Sequence, residues 1–153
     1  METTLQDLPK PFQEIVEIFQ SAEKDERLEL LLEYAKELPP LPAHLNQQSD
    51  QMEQVTECQT PFFLASEVID GRVTFYYDVP LEAPTTRGYA SILAQGLNGT
   101  SPEIVLRIPS TFYNWIGLTD IISPLRLRGV EGVLNRMKRQ MREYLDVKAK
   151  DTN

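Results

Sequence analysis

The 153-residue sequence holds one cysteine, Cys58, and one histidine, His44. A single cysteine rules out an internal disulfide and any cysteine-rich metal site, which leaves a free thiol or an intermolecular bond. A single histidine is equally restrictive, because zinc sites and thiol proteases both lean on imidazole. No metal and no other cofactor is expected. Positive charge is scarce as well. Fifteen Lys and Arg against 23 Asp and Glu give a net charge of -8, which repels phosphate backbones, so nucleic acid is not an expected partner. No apolar run approaches the roughly 18 residues of a membrane span, so no membrane association is expected. The N-terminal stretch Met1-Glu2-Thr3-Thr4-Leu5-Gln6-Asp7 carries acids where a secretory signal carries Lys or Arg, and it lacks the Arg-rich character of a transit peptide. The expected location is the cytoplasm.

What remains is ordinary globular usage, 41% apolar and 25% charged. A chain of this length buries about two-thirds of its unfolded surface, so a single domain over residues 1–153 is expected, with a disordered tail from about 147 to 153. Pro11 opens a first helix with Phe12, Ile15, Val16 and Phe19 at helical spacing. Asp25 is placed to cap a second, whose stripe is Leu28, Leu31, Leu32, Ala35 and Leu38, and the two are expected to pair as a helical hairpin. Pro39 to Gln54 shows neither helical nor strand periodicity and reads as a long loop. Beyond it, Pro61–Val68 and Val73–Val79 flank Asp70-Gly71 and predict a β-hairpin, with a short third strand near Met52–Thr56.

The second half reads as helical. Pro84-Thr85-Thr86 starts a helix that stops at Asn98-Gly99, and Ser101-Pro102-Glu103 starts a short one. Thr111–Ile116 is a further short helix, and Ser123-Pro124 opens a long last one to about Asp146. Gly129 and Gly132 each weaken that last helix by roughly 1 kcal/mol relative to Ala, so they are expected to mark close backbone packing. Helices, then a small antiparallel sheet, then helices imply an α+β fold with the sheet covered by helices on one face. The six basic residues Arg126, Arg128, Arg136, Lys138, Arg139 and Arg142 form either a solvated helix face or a docking surface for an acidic protein.

Cys58 sits between Glu57 and Gln59-Thr60-Pro61, all polar or turn-forming, so its thiol is expected at a loop tip. Local sequence leaves two readings open, a reactive thiol and a buried inert one. Negative neighbours raise a thiol pKa, and Glu57, with Asp50 and Glu53 nearby in sequence, works against self-activation. His44 lies fourteen residues upstream and is a poor candidate for a base. A carrier thiol, activated only inside a partner's site, fits better, and it predicts an ordinary Cys58 pKa in the free protein. Glu131 with Asp120 or Glu143 reads as surface charge, and the aromatics Phe62, Phe63, Phe75, Tyr76 and Tyr77 read as core rather than a base-stacking platform.

Four separated landmarks carry a resemblance: Leu38-Pro39-Pro40-Leu41-Pro42, Glu57-Cys58-Gln59-Thr60, Arg87-Gly88, and Ser123-Pro124-Leu125-Arg126-Leu127-Arg128-Gly129. In order and spacing the chain resembles the SufE family of sulfur acceptors. The family's thiol motif, Gly-Cys-Gln-Ser-x-Val-Trp, is met here by Glu57-Cys58-Gln59-Thr60-Pro61-Phe62-Phe63, with Glu57 in place of glycine and Phe63 in place of tryptophan. The acid-then-base pattern before the next helix is kept as Glu82 and Arg87.

The resemblance implies a SufE/IscU-like fold whose cysteine lies on a loop beside the sheet, tucked over a cavity and extended on partner binding. It implies that Cys58 takes a persulfide from a SufS-like, PLP-dependent cysteine desulfurase and passes sulfur to a cluster-assembly scaffold. The chain would then be an accessory to an enzyme rather than an enzyme. Arg126 and Arg87 would position the loop or dock the partner, Glu57 would share that task, and Gln59 would orient the loop through its amide. A scaffold role of the same fold fails on cysteine count, since cluster binding takes several. The surviving alternative is a binding module that modulates a partner while Cys58 stays inert.

Overall fold

The structure is a computed structural model that describes residues 3–46 and 48–151. Two strands form where the sequence alternates. β2 (Phe63–Ile69) and β3 (Arg72–Asp78) pair antiparallel from Phe63 opposite Asp78 to Ile69 opposite Arg72. Between them Asp70 and Gly71 have φ of 54° and 76°, the two positive values that a tight two-residue hairpin turn requires. The expected third strand is present as β1 (Glu53–Gln54), which pairs antiparallel with β2 and places the sheet order as β1-β2-β3.

The pleat sends Leu64, Val73, Phe75 and Tyr77 into the main core. The opposite face is not left to water. Leu45 and Met52 from the long loop, with Leu41, cover Ala65, Phe63 and Tyr76 there. The free edge of β3 is closed by the turn after the third helix. The Val73 amide donates to the Thr100 carbonyl, the Gly99 amide donates to the Val73 carbonyl, and the Phe75 amide donates to Asn98 Oδ1 at 2.9 Å.

Helix α1 (Lys10–Ser21) buries Phe12, Ile15, Val16 and Phe19, as its spacing predicts. Helix α2 (Lys24–Lys36) starts two residues earlier than an Asp25 cap requires, with Glu23 at the N-cap position and Asp25 in the first turn, where its charge complements the helix dipole. Leu31, Ala35 and Leu38 are buried, and Leu28 is 40% exposed. The hairpin expected of these two helices is not their main packing. Both lie against α3 (Pro84–Leu97), and they meet each other locally, through the stacked rings of Phe19 and Tyr34 and the Arg27 guanidinium that donates to the Phe19 carbonyl.

α3 is the central element, buried along nearly its whole length. Glycine makes that possible at its crossing with α2, since a Cβ at Gly88 would collide with the Leu31 backbone carbonyl. Helix α4 (Pro102–Arg107) is capped by Ser101, as expected. The Thr111–Ile116 helix reduces to a 3-10 turn over Phe112–Asn114. Helix α5 (Pro124–Asp151) runs through residues expected to be a disordered tail, and Lys148 and Lys150 in its last turn suit the negative end of the helix dipole. The last two residues of that tail, 152 and 153, lie outside the described residues.

Gly88→Ala is expected to overpack the α2–α3 crossing and destabilise the protein by about 1–3 kcal/mol. A urea titration of the variant against the parent checks this, with a lowered midpoint at unchanged slope as the expected result.

Candidate functional site

Between β1 and β2 the chain makes a tight excursion that carries the cysteine. Val55 and Phe62, both fully buried, close its base through a bond from the Val55 amide to the Phe62 carbonyl at 2.8 Å. The Cys58 amide then donates to the Val55 carbonyl at 3.2 Å and turns the chain back on itself. The thiol is not at a free loop tip. It is half-buried, because the turn lies flat on α5.

That contact explains the two glycines. A Cβ at Gly129 would stand 2.9 Å from Cys58 Sγ and 3.3 Å from its Cα. A Cβ at Gly132 would collide with the Glu57 carboxylate. The expected close approach is therefore real, and what approaches is the cysteine turn. One helical turn further, the Arg136 guanidinium holds the same segment. Its Nη2 donates to Glu57 Oε1 at 2.5 Å and to Thr56 Oγ1 at 3.0 Å, and its Nη1 donates to Glu53 Oε2 at 2.7 Å. Arg139 also pairs with Glu53, and Gln140 Nε2 donates to Glu53 Oε1 at 3.0 Å.

The basic run is thus neither a bare solvated face nor wholly free for a partner. Arg136 and Arg139 spend their charge on the chain's own acids, Glu53 and Glu57. Sequence reading missed this network. Its signal was the i, i+3, i+7 spacing of Gly129, Gly132 and Arg136, which puts two small residues and a cation on one helical face.

Charge and burial together set the protonation states. The Arg136 hydrogen bond holds the Glu57 carboxyl below the usual carboxylate range. For Glu53 burial pulls upward, and the bonds from Gln140, Arg139 and Arg136 outweigh it, so its pKa also ends low. The thiol goes the other way. Burial pushes Cys58 up to about 11, the Glu57 charge adds to the rise, and Arg136 opposes it. The ordinary pKa expected of the free protein is therefore corrected. Glu57 acts in the foreseen direction, but the larger cause is desolvation, which sequence does not display.

Beside the thiol lies a cavity of about 260 Å³ between the start of α3 and the first turns of α5. Its buried lining includes Tyr89, Ile122, Val130 and Val133, and its rim is formed by the exposed side chains of Glu82, Leu125 and Arg126. Tyr89 fastens the two helices beneath it, stacking on Phe112 at 5.4 Å and donating its hydroxyl to the Val130 carbonyl at 3.1 Å.

The remaining site candidates separate. Gln59 lies at this cavity, yet the amide bonds expected of it are not formed among the described residues. Arg126 Nη1 donates to Thr85 Oγ1 at 2.9 Å across the rim. Arg87 stands apart from the cavity and straps the start of α3 to the end of the hairpin, donating to the Val79 carbonyl at 2.6 Å. His44 pairs with Glu67 at 3.1 Å on the loop-covered side of the sheet and takes no part at the thiol. Of the acids read as surface charge, Asp120 pairs with Arg27, Glu143 with Arg139, and Glu131 accepts from the Tyr113 hydroxyl. No described helix is long and apolar enough to cross a membrane.

A thiol turn resting on a helix beside a cavity, at the edge of a small antiparallel sheet, places the chain among α+β domains. The chain belongs to the SufE family, described as an Fe-S metabolism associated domain, whose match covers residues 13–141. It is 48% identical over 137 residues to an uncharacterised SufE-like protein of Mycobacterium tuberculosis, an alignment that covers 89% of this chain and 94% of that protein. It is 24% identical to the cysteine desulfuration protein SufE of Plasmodium vivax, over 80% of this chain and 49% of that one. Among solved structures, a hypothetical protein from Thermus thermophilus matches with a TM-score of 0.81 and 43% identity, covering 91% of this chain and 98% of that one.

A thiol held near pKa 11 is nearly all protonated at neutral pH. Cys58 of the free protein is expected to react with iodoacetamide at pH 8 on the order of a hundredfold more slowly than an unperturbed thiol near ~8.5. A pH series of the alkylation rate checks this, and the rate is expected to keep rising beyond pH 10.

Proposed function

We propose that the chain accepts a sulfane sulfur on Cys58 from a PLP-dependent, SufS-like cysteine desulfurase and hands it to a cluster-assembly scaffold. The observation that carries the reading is the thiol itself: the sole cysteine, placed beside a cavity and kept protonated by its own fold. Such a thiol is a poor catalyst alone and a suitable acceptor once a partner lifts it from α5. The desulfuration role named for the Plasmodium relative supports the same direction.

The chemistry is exchange without net oxidation. The Cys58 thiolate attacks the terminal sulfur of the desulfurase persulfide, the sulfur–sulfur bond in the desulfurase breaks, and its cysteine leaves as a thiolate. The product is a Cys58 persulfide, and the cavity beside Sγ offers the added sulfur room away from water. The chain acts as an accessory that relieves the desulfurase of its product. Arg126 and Leu125, the latter 48% exposed, stand at the rim and serve docking, while Glu57 positions the turn. Gln59 faces the partner with its amide unbonded among the described residues, and Arg87 acts at a distance by fixing the start of α3. A reducing compartment such as the cytoplasm belongs to the proposal, since a lone thiol must stay unpaired to receive sulfur. A single domain over residues 1–153 is part of it too.

Burial of the thiol favours one second reading, a module that binds and modulates a partner with Cys58 inert. Cys58→Ser separates the two. The acceptor reading expects the variant to bind the desulfurase with unchanged affinity and to lose its stimulation of cysteine turnover. Full stimulation by the Ser variant would refute the acceptor role and favour the module.

A further inference from the structure

Glu57 stands where the family motif has glycine, and α5 answers it with a matched seat: Gly132 opposite the carboxylate and Arg136 on it from the next turn. The pair is only partly exposed, with the Glu57 side chain at 39%. The Arg136 side chain is 24% exposed, and the same guanidinium is shared with Glu53 on β1 and Thr56. The arrangement holds the residues just before the cysteine, and Cys58 Sγ rests against Gly129.

We infer that Arg136 and Glu57 form an ionic clasp that positions the Cys58 turn in its tucked state, and that its release sets how readily the thiol becomes available. The clasp deepens the sulfur-acceptor reading by naming what governs access to the same thiol, and it rests on that reading for its biological purpose. Its test needs no desulfurase. The alkylation rate of the free protein reports on the clasp, and persulfide formation reports on the acceptor role, so one can fail without the other.

The charged and titratable groups around the turn are Glu57 within it, Glu53 on β1, Glu82 and Tyr89 at the cavity, and Arg126, Arg136 and Arg139 on α5. Among them Arg136 gives a test decided by sign. It lowers the thiol pKa where it stands, so removing it with the turn left in place makes the thiol still less acidic and slows alkylation. Removing it with the turn released takes away burial, the larger cause, and the pKa falls toward the ordinary value near ~8.5. Alkylation then speeds up, by about tenfold for each unit of pKa lost.

Arg136→Ala is therefore expected to alkylate at least about tenfold faster at pH 8 than the parent, with the midpoint of its pH profile moved downward. Gly132→Ala leaves every charge in place and drives the Glu57 carboxylate from its seat, and it is expected to accelerate alkylation as well. Arg136→Lys keeps the charge without the planar fork and is expected to fall between parent and Ala variant. Circular dichroism confirms that each variant is folded. If Arg136→Ala does not fold, the parent in 1 M salt decides, because a partly exposed ion pair is screened there and alkylation is expected to rise. Slower or unchanged alkylation in the folded Arg136→Ala and Gly132→Ala variants overturns the clasp, as does a parent rate indifferent to salt where the salt arm decides.

Discussion

The closeness of the cysteine turn to helix α5 is the constraint on which the rest depends. Two residues without side chains, Gly129 and Gly132, let the backbone of α5 come within contact of Cys58 and Glu57. Each costs a helix roughly 1 kcal/mol relative to alanine, and a long helix tolerates that cost here because the turn needs the space. From this one approach follow the half-burial of the thiol, its high pKa and the placement of the cavity at its side.

The fold around it is arranged to hold that approach steady. Val55 and Phe62 anchor the turn in the main core, β1 pins its leading strand to β2, and Glu53 ties β1 to α5 through Arg136, Arg139 and Gln140. Tyr89 fastens α3 to α5 under the cavity floor. A thiol fixed in this way is shielded from adventitious oxidants and electrophiles, since the thiolate is the reactive form and little of it is present. On the acceptor role proposed above, the same shielding makes its use conditional on a partner.

Some of this was legible in the residues. Asp70-Gly71 between two alternating runs determined the hairpin, and the buried face of α1 followed from Phe12, Ile15, Val16 and Phe19. Gly129 and Gly132 announced a close approach, because glycine inside a helix calls for a packing reason. Their partner could not be read, as Arg136 and Glu57 meet across 79 positions of sequence and no local pattern encodes that distance. The expected loop tip failed for a related reason. Polar neighbours such as Glu57 and Thr60 suggest exposure, and Glu57 is indeed 39% exposed, but its carboxylate is bonded to Arg136 on α5 and the turn, with Cys58, lies against that helix. Desolvation, the main cause of the thiol's high pKa, appears only once a surface has been laid over it. Residues 147–151, expected to be disordered, lack an apolar stripe and are carried as helix by continuity with α5.

The central claim is that Cys58 is the atom-level acceptor of sulfur, and mass spectrometry tests it most directly. The protein is mixed with a cysteine desulfurase and cysteine, then digested without reductant, and the peptide that contains Cys58 is weighed. The account predicts one added sulfur atom on that peptide, dependent on cysteine and removed by reductant. A Cys58 peptide that stays unmodified while the protein stimulates desulfurase turnover would contradict it.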